Sequence, residues 1–155
     1  MQTILTEIGV DMSHWRTDKH FTSWLSLCPN REISGGRVLR SKTKRTSNRA
    51  NTALRQAAQS LHRSHTYLGA FYRRMRARLG PAKAITAAAH KLARIISIML
   101  KERREYIDLG EDYYLQKNRD REFKKLMKKA HALGFYLTPA ANHNGVKMSP
   151  TVSVS

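Results

Sequence analysis

Residues 68–101 read LGAFYRRMRARLGPAKAITAAAHKLARIISIMLK, and this stretch decides the fold class. Leu68, Phe71, Tyr72, Met75 and Leu79 recur at the three- and four-residue spacing that lines one face of a helix. Gly80 then stands where a helix ends in the left-handed region. Pro81 takes the first position of the next helix, where its missing N–H is not needed. From Pro81 the stripe Ile85, Ala88, Leu92, Ile95, Ile96 and Met99 continues to about Lys101, with Lys83, Lys91, Arg94 and Lys101 outside it. Two helices joined by a tight corner follow from these residues alone.

Working outward, the same period returns on both sides. Residues 2–8 place Ile4, Leu5 and Ile8 inward and stop at Gly9; Thr17 stands as an N-cap ahead of Phe21, Trp24, Leu25 and Cys28, a pattern that Pro29 ends. Ser47 occupies the N-cap position before Ala50, Ala53, Leu54, Ala57 and Leu61. A last helix is expected from about Glu111 to Ala132, burying Phe123, Leu126, Met127 and Ala130, with an acidic start and a basic end that suit the helix dipole. Only residues 31–46 break the period, with a Gly-Gly pair followed by alternating apolar and basic residues, which reads as a basic loop or short hairpin. Beyond Thr138 the residues PAANHNGVKMSPTVSVS carry no periodicity. The expectation is a mainly α, compact helical domain over 1–138 with a disordered tail over 139–155.

The 155 residues suffice for one domain with a core of its own, burying about two thirds of the unfolded surface. Lys and Arg number 29 against 11 Asp and Glu, a net charge of +18. Such a surplus draws polyanions, nucleic acid before an anionic membrane surface. The acids are also unevenly placed, since none lies between Glu32 and Glu102. A solvated helical surface usually mixes signs, so phosphates are the expected counter-charge for this middle stretch. The lone Cys28 excludes an internal disulfide and a multi-cysteine zinc site and suits a small core residue in a reducing cytoplasm. The start lacks the basic region of a signal peptide, and the apolar run Ile95–Leu100 is far short of the ~20 residues that span a bilayer. A cytoplasmic protein with no membrane role is the expectation.

Among short motifs, Ile33-Ser34-Gly35-Gly36-Arg37 is the most suggestive. A serine beside two glycines can expose its hydroxyl and admit a phosphate close to the backbone, with Arg37 to neutralise it. A plain turn before a basic strand accounts for the same residues. The seven histidines show no metal-ligand spacing, and His62 and His65 are expected on one helix face. Tyr67, Phe71 and Tyr72 precede Arg73, Arg74, Arg76 and Arg78, a combination that could stack a base and hold its backbone. Phe71 and Tyr72 lie on the apolar stripe, however, which reads as core and leaves the arginines as the candidates.

Glu7-Ile8-Gly9-Val10-Asp11-Met12, Phe21-Thr22-Ser23-Trp24-Leu25, Cys28-Pro29, Ser34-Gly35-Gly36, Asn48-Arg49 and Ala53-Leu54-Arg55 stand in this order. Together they resemble the transposase domain of the insertion sequence 110 (116/110/902) family. Leu68-Gly69-Ala70-Phe71-Tyr72-Arg73-Arg74 and Ala89-His90-Lys91-Leu92-Ala93-Arg94 extend the resemblance to about residue 138. It implies a recombinase in two parts, an amino-terminal RuvC-like domain that binds Mg²⁺ through carboxylates and a carboxy-terminal domain whose serine attacks DNA, guided by a structured RNA. Carried onto this chain, Ser34 is the implied nucleophile. Gly35 and Gly36 give backbone access, and Arg37, Arg40, Lys42, Lys44, Arg45, Asn48, Arg49, Arg73 and Arg74 form the implied nucleic-acid contacts. The resemblance begins within the transposase domain. The expectation is therefore a serine-bearing half that binds no metal itself, is inactive alone, and works in an oligomer with DNA, a guide RNA and a RuvC-like domain or full-length transposase. A non-catalytic basic module, either a truncated regulator or a ribosomal or nucleoid-type protein, is the competing expectation.

Overall fold

The computed structural model describes residues 2–9 and 11–138. In chain order run α1 (Gln2–Ile8), α2 (Asp18–Trp24), the strands β1 (Pro29–Ser34) and β2 (Arg37–Thr43), α3 (Arg49–Ser60), a 3₁₀ turn (Leu61–Arg63), α4 (Tyr67–Leu79), α5 (Pro81–Glu102) and α6 (Gly110–Ala132). The mainly α class is therefore observed, with one antiparallel hairpin. The expected tail over 139–155 lies outside the described residues. The chain divides into two compact units, Met1–Lys117 and Asn118–Ser155. Among the described residues no helix is long and apolar enough to cross a membrane.

The first unit is organised on α5, against which α2, α3 and α4 pack, while α1 packs on α3. The buried face of α5 only partly follows the stripe that periodicity suggests. Ala88 and Ile96 are buried as expected, but Ala84, Ala89 and Ala93 join them, and Ile85 and Leu92 are only partly buried. Methyl-sized side chains let three helices approach one axis closely, and the bulkier residues then fill the flanks. The large buried side chains come from elsewhere: Phe21, Leu25, Leu27 and Leu54, each contributing about 1.5–3 kcal/mol on burial.

Four local expectations are corrected. The α3 N-cap is Asn48, whose side chain accepts the Asn51 N–H at 3.2 Å, rather than Ser47. The shift follows from the buried face of α3, which comprises Ala50, Asn51, Leu54 and Ala58 and leaves Ala57 exposed. Asn51 belongs in that core because its Nδ2 donates to the Leu25 carbonyl at 2.5 Å, so a polar residue holds a position that hydropathy would not assign. Helix α2 does begin at its Thr17 cap but ends at Trp24. Ser26 then turns left-handed (φ 54°) and swings Leu27 into the core, leaving Cys28 half-buried beside Thr22 and Trp24 exposed. His62 lies in the 3₁₀ turn and His65 in the link after it, so they share no helix face. Finally, Phe123, Leu126 and Met127 of α6 are exposed, and Tyr114 is that helix's one buried residue.

An ion pair ties α2 to α5: Arg94 Nε donates to Asp18 Oδ2 at 2.5 Å. This hydrogen bond, first among the causes, holds the Asp18 carboxyl below its ordinary range despite some desolvation. A depressed carboxylate stabilises the fold above its unfolded pKa of about 3.9, and the contribution is lost as pH falls through the lower folded value. Because Arg94 is half exposed, solvent screening limits the pair to about 0.5–1 kcal/mol. Asp18→Asn should therefore lower urea stability by that amount at neutral pH, with a deficit that shrinks as pH falls below about 3.9. An equal deficit at neutral and acid pH would assign the effect to packing instead.

Candidate functional site

The hairpin stands out from the helical body, and almost every residue of it is exposed. Its register pairs Asn30 with Lys42, Glu32 with Arg40, Ile33 with Val38 and Ser34 with Arg37, with an irregularity after Glu32 that leaves Leu39 as the additional residue of β2. Ser34 and Arg37 thus close the ladder at the tip. Gly35 and Gly36 form the turn between them, both in the left-handed region (φ 55° and 75°), as a two-residue type I′ turn requires. A Cβ at either glycine would meet nothing within 4 Å. The glycines are needed for their backbone conformation, and the space around the tip is open.

Sequence-predicted residues fall into three groups. Ser34, Gly35, Gly36, Arg37, Arg40 and Lys42 come together on the hairpin, exposed, with Glu32 as the acid set opposite Arg40. Lys44 and Arg45 continue from its base, and Arg49 opens α3, all exposed; Asn48 between them is engaged as the helix cap. Arg73 and Arg74 are elsewhere, on α4 and partly buried. Arg73 Nη1 donates to the carbonyls of Ser64 (2.7 Å) and His62 (3.2 Å), and its Nη2 pairs with Glu111 at 2.5 Å. That hydrogen bond is the main reason the Glu111 carboxyl sits below its usual range. Arg73 is thus built into the link between the 3₁₀ turn and α4. Of the aromatics expected as core, Tyr72 is buried and Phe71 partly so; Phe71 also joins Tyr67 in holding a cation, with Lys91 Nζ 4.3 Å and 4.2 Å from the ring centres of Tyr67 and Phe71.

One cation that sequence reasoning left unassigned is oriented with care. Arg55 Nε donates to Asn51 Oδ1 at 2.9 Å and its Nη1 to Thr86 Oγ1 at 3.1 Å. Asn51 is itself anchored on Leu25, so the guanidinium is fixed from both α3 and α5. The four-residue spacing of Asn51 and Arg55 was the available signal, since it places both on one face of α3. His90, further along α5, has its proton affinity lowered by burial first and by neighbouring Arg94 second.

Fold and site define a class, a helical protein that displays a serine at the tip of a basic hairpin. Residues 1–73 match the model of the transposase IS116/IS110/IS902 family. That stretch, which runs from α1 into α4 and includes the whole hairpin, is similar to this transposase family. None of the curated proteins and none of the solved structures matches it. Among the described residues no three His, Cys, Asp or Glu side chains converge as a metal site.

Proposed function

We propose that this chain is the serine-bearing part of a DNA transposase, with Ser34 as its nucleophile and the basic hairpin as its contact with nucleic acid. The observation that carries this reading is the placement of Ser34 at the open tip of an exposed hairpin, beside two left-handed glycines and ahead of Arg37, Arg40 and Lys42. In the proposed step the Ser34 Oγ–P bond forms in line as the bond from phosphorus to the leaving sugar oxygen breaks. The serine proton is given up to a base or solvent, and the leaving oxygen takes one. No water is consumed, so the phosphodiester energy is conserved for joining. Arg37 meets the charge that develops on the non-bridging oxygens.

The separate RuvC-like domain, when bound, would supply a Mg²⁺ ion that polarises the phosphate; a guide RNA and further copies of the transposase complete the proposed assembly. On this reading the chain binds DNA or structured RNA by itself but does not cut.

The contact half of the proposal is tested by binding. With 6–10 phosphate contacts, affinity should fall by roughly 10³–10⁵ between about 50 and 200 mM salt. Changing Arg37, Arg40, Lys42 and Lys44 together to Ala should weaken binding and flatten that dependence by about 0.9 per lost contact on duplex. Unchanged affinity and slope would place the interface elsewhere. The nucleophile half is tested by strand transfer with Ser34→Ala.

A further inference from the structure

We infer that a second nucleic-acid subsite lies at the base of the hairpin, a cleft between β2, α3 and α5 that grips the phosphate backbone of a single strand running toward Ser34. The inference rests on the proposed nucleic-acid function for the identity of the strand, and its residues are different ones apart from Lys42, which borders both; Arg55→Gln/Lys83→Gln therefore tests the cleft without touching the hairpin. The cleft encloses about 900 Å³, and its lining includes Lys42 from β2, Arg55 from α3, and Lys83, His90, Lys91 and Arg94 from α5. No Asp or Glu lines it. The α5 contribution lies wholly outside the stretch matched to the transposase family.

Spacing makes these residues a track. Lys83, His90 and Arg94 are separated by seven and four residues, which returns them to one face of α5 over about 16 Å at ~1.5 Å per residue. Arg94 is neutralised by Asp18 at the far end; Lys42, Arg55 and Lys83 have no ion-pair partner among the described residues. A guanidinium carries five N–H donors, and Arg55 commits Nε and one Nη1 hydrogen to Asn51 and Thr86. Its remaining donors are held in a fixed orientation on the cleft, so little conformational entropy is lost when a phosphate docks. Apolar lining from Pro29, Phe71 and Leu79 suits sugars and bases beside the backbone.

The occupant is a single strand: a groove that tracks one backbone beside an aromatic ring is how single strands are held. From Lys42 to Arg37 at the tip β2 spans five residues, about 17 Å at ~3.4 Å each. A strand anchored in the cleft would thus reach Ser34 with a set length of nucleic acid between the two, and the cleft would select which phosphodiester is presented.

The test is fluorescence anisotropy of the full chain with oligo-dT, oligo-U of equal length, and a duplex. Lys42→Gln/Lys83→Gln leaves the Asn51–Arg55–Thr86 bonds intact; Arg55→Gln/Lys83→Gln removes the oriented guanidinium; Arg37→Ala/Arg40→Ala serves as the tip variant. Circular dichroism and Tm report folding for each. We expect the first variant, folded as the parent, to bind single strands about tenfold more weakly. Its salt slope should flatten by about 1.4, ~0.7 for each of two lost contacts, while duplex affinity changes less. The probe that loses affinity more, dT or U, identifies the strand as DNA or RNA. Single-strand affinity and slope unchanged in both cleft variants would overturn the subsite. If the tip variant alone loses binding, the cleft proposal fails and the hairpin reading stands. If the cleft variants lose binding while Ser34→Ala retains full strand transfer, the subsite stands and the nucleophile reading fails.

Discussion

Strand transfer on element-end DNA, measured with this chain, a matching carboxylate domain, guide RNA and Mg²⁺, should fall to background when Ser34 is replaced by alanine. The expected loss is at least about 10³-fold, because removing a nucleophile removes the bond-forming atom itself rather than one stabilising contact among several. Binding should be unaffected to within about twofold, since a serine hydroxyl adds little to a contact dominated by phosphate charge. The same chain without the carboxylate domain should bind and not cut. Each half of this pattern can fail separately. Cleavage by the purified chain alone would end the proposed division of labour, and an undiminished Ser34→Ala enzyme would leave the hairpin as a binding element only. The open surroundings of the tip make the comparison clean. Ser34 is exposed at the end of the ladder, so Ala at this position has no packing to disturb.

The tip was legible in the sequence because its signals are local. Two adjacent glycines between residues that alternate in polarity specify a hairpin turn without reference to the rest of the chain. The Gly80–Pro81 corner was equally local, and Gly80 adopts the expected left-handed φ of 81°. What the sequence did not reveal depends on neighbours. Which side of α5 is buried is decided by three helices arriving at once, and alanines carry too weak a hydropathy signal to compete with Ile85 or Leu92 in a periodicity argument. Asn51 is hidden for the same reason, as a polar side chain enters a core only where a distant carbonyl, here that of Leu25, awaits it. Arg73 looked like one more member of a basic cluster. Its role in the link is set by carbonyls and a carboxylate that lie 9, 11 and 38 positions away. The exposed stripe of α6 is the opposite case, in which periodicity correctly gives the helix but says nothing about whether a core is present to cover it.

That same link yields the second large expected effect, in which Gly69→Ala destabilises the protein although the substitution is made inside a helix. At an ordinary helical position the change would stabilise by up to about 1 kcal/mol, since alanine has the higher helix propensity. Gly69 lies in the first turn of α4, its N–H donating to the Thr66 cap at 3.1 Å. A Cβ built there would lie 2.0 Å from the Ser64 carbonyl oxygen and 2.9 Å from its carbon. Both are backbone atoms and cannot rotate aside. The Ser64 carbonyl is also held in place by Arg73 Nη1, so relieving the clash means moving the link and weakening the contacts that Arg73 makes with His62 and Glu111. Overpacking against fixed atoms costs about 1–3 kcal/mol, and disturbing a charged hydrogen bond adds about 1.5–3 kcal/mol. A net loss of about 2–4 kcal/mol remains after the propensity gain, a large share of the roughly 5–15 kcal/mol of a typical domain. Denaturant titration should show a clearly lower midpoint for Gly69→Ala. A midpoint equal to or above the parent's would mean that Ser64 does not approach α4 as closely as this geometry requires.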